Sequence, residues 1–276
     1  MKGIRILLVG FMFLSAFSGC SPNSLSKILK SADAEYRLRM AEQFFASKKY
    51  AKAQLLFEDL FPLFKNDPRF EDLYYKYAYC MYYQRDFVNA ENLFKGFLEV
   101  FPKSQRAPEI DFMRAYSFYR QSPRVELDQV PTQKAIGFLQ AHLNNYPESP
   151  KKEEALKLID ECYQKLEKKE WNSAELYYNL GSYRAAAIAF TNLLNHYPQS
   201  ANADQYKLMI IKSYFEYAQM SVDTKKEERF TKVVEEYYDF VDRFPESNLL
   251  KEAEKYFKNS KNNLNTIKNE SSDQKS

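Results

Sequence analysis

Residues 183–200 read Tyr183-Arg184-Ala185-Ala186-Ala187-Ile188-Ala189-Phe190-Thr191-Asn192-Leu193-Leu194-Asn195-His196-Tyr197-Pro198-Gln199-Ser200, and the chain repeats this pattern. With Ala186 as station 0, the other copies align on Ala53, Ala90, Ala135 and Val233. Three residues earlier stand Tyr50, Phe87, Thr132, Tyr183 and Phe230. Four residues later come Phe57, Phe94, Leu139, Phe190 and Tyr237, and eight later Phe61, Leu98, Leu143, Leu194 and Val241. Station +11 is aromatic in every copy: Phe64, Phe101, Tyr146, Tyr197 and Phe244. Proline follows at +12 in four copies, Lys65 being the exception, and Asp67, Ser104, Ser149, Ser200 and Ser247 occupy +14.

Each station has a mechanical reason. Stations −3, 0, +4, +8 and +11 share a helical face, so the helix buries one aromatic stripe. The small residue lets a neighbouring helix approach, and proline ends the element by removing an N–H and restricting the residue before it. The Ser or Asp caps the next helix, with Pro68 and Pro150 in its first turn. The unit is therefore a helix pair, A then B. Helices A are predicted near 32–46, 68–83, 105–120, 150–180 and 201–221. Helices B are predicted near 50–63, 86–100, 132–145, 183–196 and 227–243, with a last helix near 248–264. Residues 121–131 form an inserted loop, and 151–180, which lack a breaker, read as one long helix. From Asn259 the chain turns polar, and 265–276 read as a disordered tail.

Composition agrees with an all-α fold. Of six glycines, only Gly96, Gly137 and Gly181 follow residue 19, where a usual share of ~7% would place about eighteen. Phosphate-cradling loops, dinucleotide fingerprints and tight hairpins are thereby nearly excluded. Twenty-two Tyr and twenty-two Phe supply the packing instead.

The first nineteen residues read as a signal peptide: Lys2 and Arg5, the apolar run 6–17, then Ser18-Gly19-Cys20. The run is too short to span a bilayer as a helix. Phe17-Ser18-Gly19-Cys20 resembles the lipobox of bacterial lipoproteins. That resemblance implies cleavage between Gly19 and Cys20, acylation of Cys20, and a tether over 20–30. Ser21-Pro22-Asn23-Ser24 carries no acidic retention signal, which by the same resemblance implies the outer membrane with the body facing the periplasm. Removing Lys2 and Arg5 takes the formal charge from +3 to +1, which leaves no basic stripe for nucleic acid.

No catalytic constellation emerges, and we expect neither enzyme activity nor a metal or other cofactor. His142 and His196 lack a ligand partner at helical spacing and read as ordinary helix residues. Cys80 and Cys162, set among aromatics in helical runs, read as free buried thiols. Trp171 reads as a packing residue. What remains is surface. Leu73–Tyr83 carries more aromatic rings than one core contact can bury, and Tyr75, Tyr79 and Tyr82, at i, i+4 and i+7, are the candidate lining of a peptide groove.

The helix pairs resemble tetratricopeptide-type repeats, which implies a right-handed α-solenoid of about five pairs plus a C-terminal helix. Spacings of 37, 45, 51 and 47 residues between successive small residues exceed the usual ~34. Two segments sharpen the resemblance: Leu127-Asp128-Gln129 with Thr132 and Ala135, and Lys169-Glu170 through Ala174, Tyr177-Tyr178, Gly181, Tyr183, Ala185-Ala186 and Phe190. Together with the lipobox they resemble the BamD family, lipoproteins of the machine that inserts β-barrel proteins into the outer membrane. The resemblance implies a non-enzymatic scaffold. Its N-terminal repeats (31–149) would recognise unfolded outer-membrane proteins, and its C-terminal repeats (150–264) would dock on BamA and on other assembly lipoproteins. A repeat lipoprotein scaffolding peptidoglycan or division machinery is the alternative reading.

Overall fold

The computed structural model describes residues 25–273, with side chains through 270, and among these every regular element is a helix. In chain order they are α1 (Leu25–Leu29), α2 (Ala34–Ala46), α3 (Tyr50–Phe64), α4 (Phe70–Tyr83), α5 (Phe87–Val100) and α6 (Ala107–Gln121). There follow α7 (Val130–Asn145), α8 (Lys152–Asn179), α9 (Tyr183–His196), α10 (Ala203–Gln219), α11 (Asp223–Arg243) and α12 (Leu250–Asp273). The signal peptide, Gly19 and Cys20 lie outside the described residues.

The repeat stations have one geometry throughout. The helix after each copy begins seventeen residues beyond station 0, at Phe70, Ala107, Lys152, Ala203 and Leu250. Each start is set the same way. The station +14 side chain accepts from the N–H two residues on: Asp67 from Arg69 at 2.8 Å, Ser104 from Arg106 at 2.9 Å, and Ser149, Ser200 and Ser247 from Lys151, Asn202 and Leu249 at 3.1 Å. These bonds satisfy donors that a helix start leaves orphaned. Asp67 does so in the copy where Lys65 replaces proline.

Three of the five A-to-B turns share a second device. Lys48, Arg85 and Gly181 take positive φ of 58°, 65° and 72°. The residue after each sends its N–H back to a carbonyl five positions upstream, as in Asp86 to Met81 at 3.0 Å and Ser182 to Tyr177 at 2.9 Å. This left-handed cap suits glycine, yet two of the three turns hold a residue with a Cβ.

Station 0 is fully buried in all five copies. The deepest other station is +7, where Leu60, Phe97, His142, Leu193 and Phe240 have no exposed surface. Station +8, expected to be core, is core only at Leu194, 2% exposed, and lies at the flank in the other copies: Phe61, Leu98 and Leu143 are half-buried and Val241 is 36% exposed. At 100° per residue, +7 falls within about 20° of station 0, whereas +8 lies about 80° away.

The chain divides into two compact units. The first comprises residues 25–122 and 130–159; the second comprises 123–129 and 160–273. In the first, α1 to α7 pack in consecutive pairs over a core that includes Phe57, Phe94, Phe97 and Phe112. Residues 25–29, expected within the tether, are helical, because Ile28 is completely buried in this core. The second unit has one cluster around Phe190, Leu193 and Tyr206 and another around Phe215, Phe230 and Phe240. There, buried Lys207 is ion-paired with Glu236 and Asp239, tying α10 to α11. The last helix runs on to Asp273, through residues expected as tail, and Leu264 and Ile267 pack against the Phe215 cluster.

Candidate peptide-binding face

Helix α4 places Tyr75, Tyr79 and Tyr82 on one face, and the structure brings the three together with different exposures. Tyr79 is buried, 6% exposed, with its ring 5.4 Å from that of Phe94. Tyr75 and Tyr82 are half-buried, with rings 4.6 and 6.2 Å from Tyr79. Tyr83, next in sequence, is 47% exposed and stacks on Tyr50 at 4.5 Å. Of the three candidates, Tyr79 supports the face from below and Tyr75 and Tyr82 present ring surface.

One carboxylate organises the hydroxyls. Tyr75 donates to Glu109 Oε1 at 2.9 Å, and Tyr79 donates to the same oxygen. Burial and the adjacent Glu109 carboxylate push the Tyr75 phenol up to about 12 and raise that of Tyr79 further. Both therefore remain neutral donors. Arg106 lies over the Tyr75 ring at 4.4 Å and reaches Asp72 at 2.9 Å, while Arg120 lies over Phe87 at 4.7 Å. Tyr116 closes the row, 6.2 Å from Tyr82. The face thus offers rings, fixed hydroxyls and two guanidinium groups, a set that can hold an extended chain by ring contact and backbone hydrogen bonds.

Glu109, Arg106, Arg120 and Tyr116 were not singled out from the sequence, yet the repeat contained a clue. Successive A helices meet through pairs 34 residues apart: Glu35–Arg69, Glu42–Lys76, Asp72–Arg106 and Tyr75–Glu109. That separation is one helical turn short of the 37-residue spacing between Ala53 and Ala90.

Other candidates also have definite places. His142 occupies a core station and bridges Asp111 Oδ2 at 3.0 Å and Ser149 Oγ at 3.1 Å. The order Ser–His–Asp is that of a nucleophile relay, but His142 is fully buried and Ser149 caps α8 through Lys151, so the three staple α6, α7 and the following turn. Trp171 packs on Phe190 and Tyr206, and Cys80 and Cys162 are free and buried. Among the described residues no group of three His, Cys, Asp or Glu is placed to hold a metal ion, and no helix is long and apolar enough to cross a membrane.

The two segments that sharpened the resemblance meet in the second unit. Lys169 donates to the Leu127 carbonyl, and buried Gln129 donates to the carbonyls of Arg124 at 2.8 Å and Leu127 at 2.9 Å. These bonds fix residues 123–129 against α8.

The fold and this face define a helix-pair repeat protein. A family model described as YfiO, outer membrane lipoprotein, matches residues 32–230. The chain belongs to this family of outer membrane lipoproteins. Comparison with curated proteins gives no match. Similar solved structures include the TPR2AB domain of yeast Sti1 in a pHSP90 complex, at 10% identity and TM-score 0.38, covering 83% of this chain and 98% of that one. They also include a TPR protein of Thermus thermophilus, at 16% identity and TM-score 0.32, covering 81% of this chain and 98% of that one.

Proposed function

We propose that this lipoprotein is a non-enzymatic adaptor of outer-membrane β-barrel assembly. Cys20 carries the lipid anchor and the body faces the periplasm. The first unit takes extended segments of unfolded barrel proteins across Tyr75 and Tyr82, with Tyr79 and Glu109 holding the rings in place. The second unit docks on the periplasmic domains of BamA. The observation that carries the reading is the ring-and-hydroxyl face on α4, in a chain of an outer membrane lipoprotein family. Half-buried tyrosines with anchored hydroxyls present ring surface at little conformational cost, as a site for varied extended guests requires.

The test is a binding titration with the aromatic-ended C-terminal peptide of a barrel protein. Tyr75→Ala and Tyr82→Ala together should weaken binding at least about tenfold while helicity is unchanged. Equal affinity of parent and variant would remove the tyrosine face from the reading. Membrane pull-down in mild detergent addresses the partner: a large barrel protein with periplasmic domains should be recovered. Cys20→Ser should leave the body folded and release it from the membrane.

A further inference from the structure

A concavity of about 730 Å³ lies in the second unit, between α8 and the turn that leads into α10. Asp160, Glu167, Trp171 and Glu175 contribute to it from one face of α8, at i, i+7, i+11 and i+15. The half-buried Trp171 ring packs on Phe190 at 5.2 Å and on Tyr206, itself part of the lining, at 5.5 Å. The Tyr206 hydroxyl donates to Glu167 Oε1, which fixes that carboxylate beside the indole. Exposed side-chain amides, Gln205 among them, line the opposite wall.

The charges select the guest. Three carboxylates face one ammonium, Lys168, so the lining carries an excess of two negative charges. An anionic lipid headgroup or nucleic acid would be repelled, and a neutral glycan would gain nothing from the excess charge. A cation laid over an indole and flanked by carboxylates is favoured by ring quadrupole and Coulomb attraction together. The amides can pair with the backbone of the same guest.

We propose that this concavity binds an extended peptide segment through an arginine or lysine side chain seated over Trp171 between Glu167 and Glu175. It is a second peptide site, separate from the tyrosine face and selective for basic rather than aromatic guests.

Trp171 is the only tryptophan in the chain, so its emission reports on this concavity directly. The full-length detergent-solubilised protein would be titrated with a Gly/Ser peptide carrying two arginines, and with the same peptide carrying two glutamates. We expect a saturable emission change with the basic peptide, weakened by salt, and none with the acidic one. Glu167→Gln combined with Glu175→Gln should cost at least about tenfold in affinity with unchanged circular dichroism. No saturable change with the basic peptide would overturn the proposal. So would an equal response to the acidic peptide, saturation by a chitin oligosaccharide, or undiminished affinity in a correctly folded double variant.

Discussion

Gly96 in α5 lies directly against the side chain of Tyr74 in α4: a Cβ at residue 96 would overlap the Tyr74 hydroxyl and stand 3.4 Å from Cζ. This contact explains a glycine in mid-helix, where the residue costs about 1 kcal/mol relative to alanine. It also seats the Tyr74 ring, 7% exposed, against Phe61 at 4.7 Å and Phe97 at 5.8 Å.

Gly96→Ala should therefore destabilise the protein by about 1–3 kcal/mol despite its better helix propensity. Tyr74→Phe removes the overlapping oxygen, so the double variant should recover most of the loss. Urea denaturation of the four proteins in the cycle measures the coupling. Additive effects would mean that the two residues do not constrain each other.

His142 stands at a station that holds Leu60, Phe97, Leu193 and Phe240 in the other copies. His142→Leu keeps the volume but leaves Asp111, whose side chain is 18% exposed, without its partner, at an expected cost of about 1–3 kcal/mol. Adding Asp111→Ala removes the stranded carboxylate and should restore stability to within about 1 kcal/mol of the parent. Thermal melts of the singles and the double check this.

Arg85 holds a left-handed conformation, φ 65°, at the A-to-B turn where Gly181 stands in a later copy. Arg85→Gly relieves a Cβ clash of about 1–2 kcal/mol and adds unfolded-state entropy, for a net gain of about 0.5–1 kcal/mol. Gly181→Ala should lose stability by the same physics. Denaturant midpoints for the two variants should move in opposite directions.

Burial pushes the Cys80 thiol up to about 12 and the Cys162 thiol to about 11. Thiolate is the reactive form, so neither should react with an alkylating reagent at neutral pH while the protein is folded. Both should label on unfolding without prior reduction. Mass spectrometry of tryptic peptides reads the two states.

Tyr75, Tyr77, Tyr178 and Tyr197 are each raised to about 12, burial being the first cause in every case. An unfolded tyrosine ionises near 10, so between about pH 10 and 12 the unfolded chain has released protons that the folded chain still holds. Stability should be flat in this respect below about pH 10 and fall as pH rises toward 12. Denaturant midpoints across that range, read beside tyrosinate absorbance, should show the decline. A constant midpoint would mean that these phenols titrate alike in both states.

The repeat was legible in the sequence because each station answers to a local rule. Proline at +12 and a hydroxyl or carboxylate at +14 act within a few residues, so the turn and the start of the next helix follow from the chain alone. The aromatic stripe follows from the 3.6-residue period in the same way. The long helix α8 was equally readable, since nothing between residues 152 and 179 interrupts it. Local rules fail where a partner from elsewhere decides. Ile28 turns a presumed tether into helix by filling the first unit's core, and Leu264 and Ile267 extend the last helix by packing on the second unit.

The tyrosine face divides along the same line. That Tyr75, Tyr79 and Tyr82 share a side of one helix is a property of the sequence, set by helical spacing. Which of them is exposed is not. Tyr79 is buried against Phe94, and Glu109, one repeat away, draws its hydroxyl and that of Tyr75 to a single oxygen. Helix pairs, their boundaries and their aromatic stripes are written in the order of residues, because they depend on neighbours a few positions apart. Which rings are left for a guest, and which acids and cations surround them, emerges only on folding, because it depends on how successive A helices meet side by side.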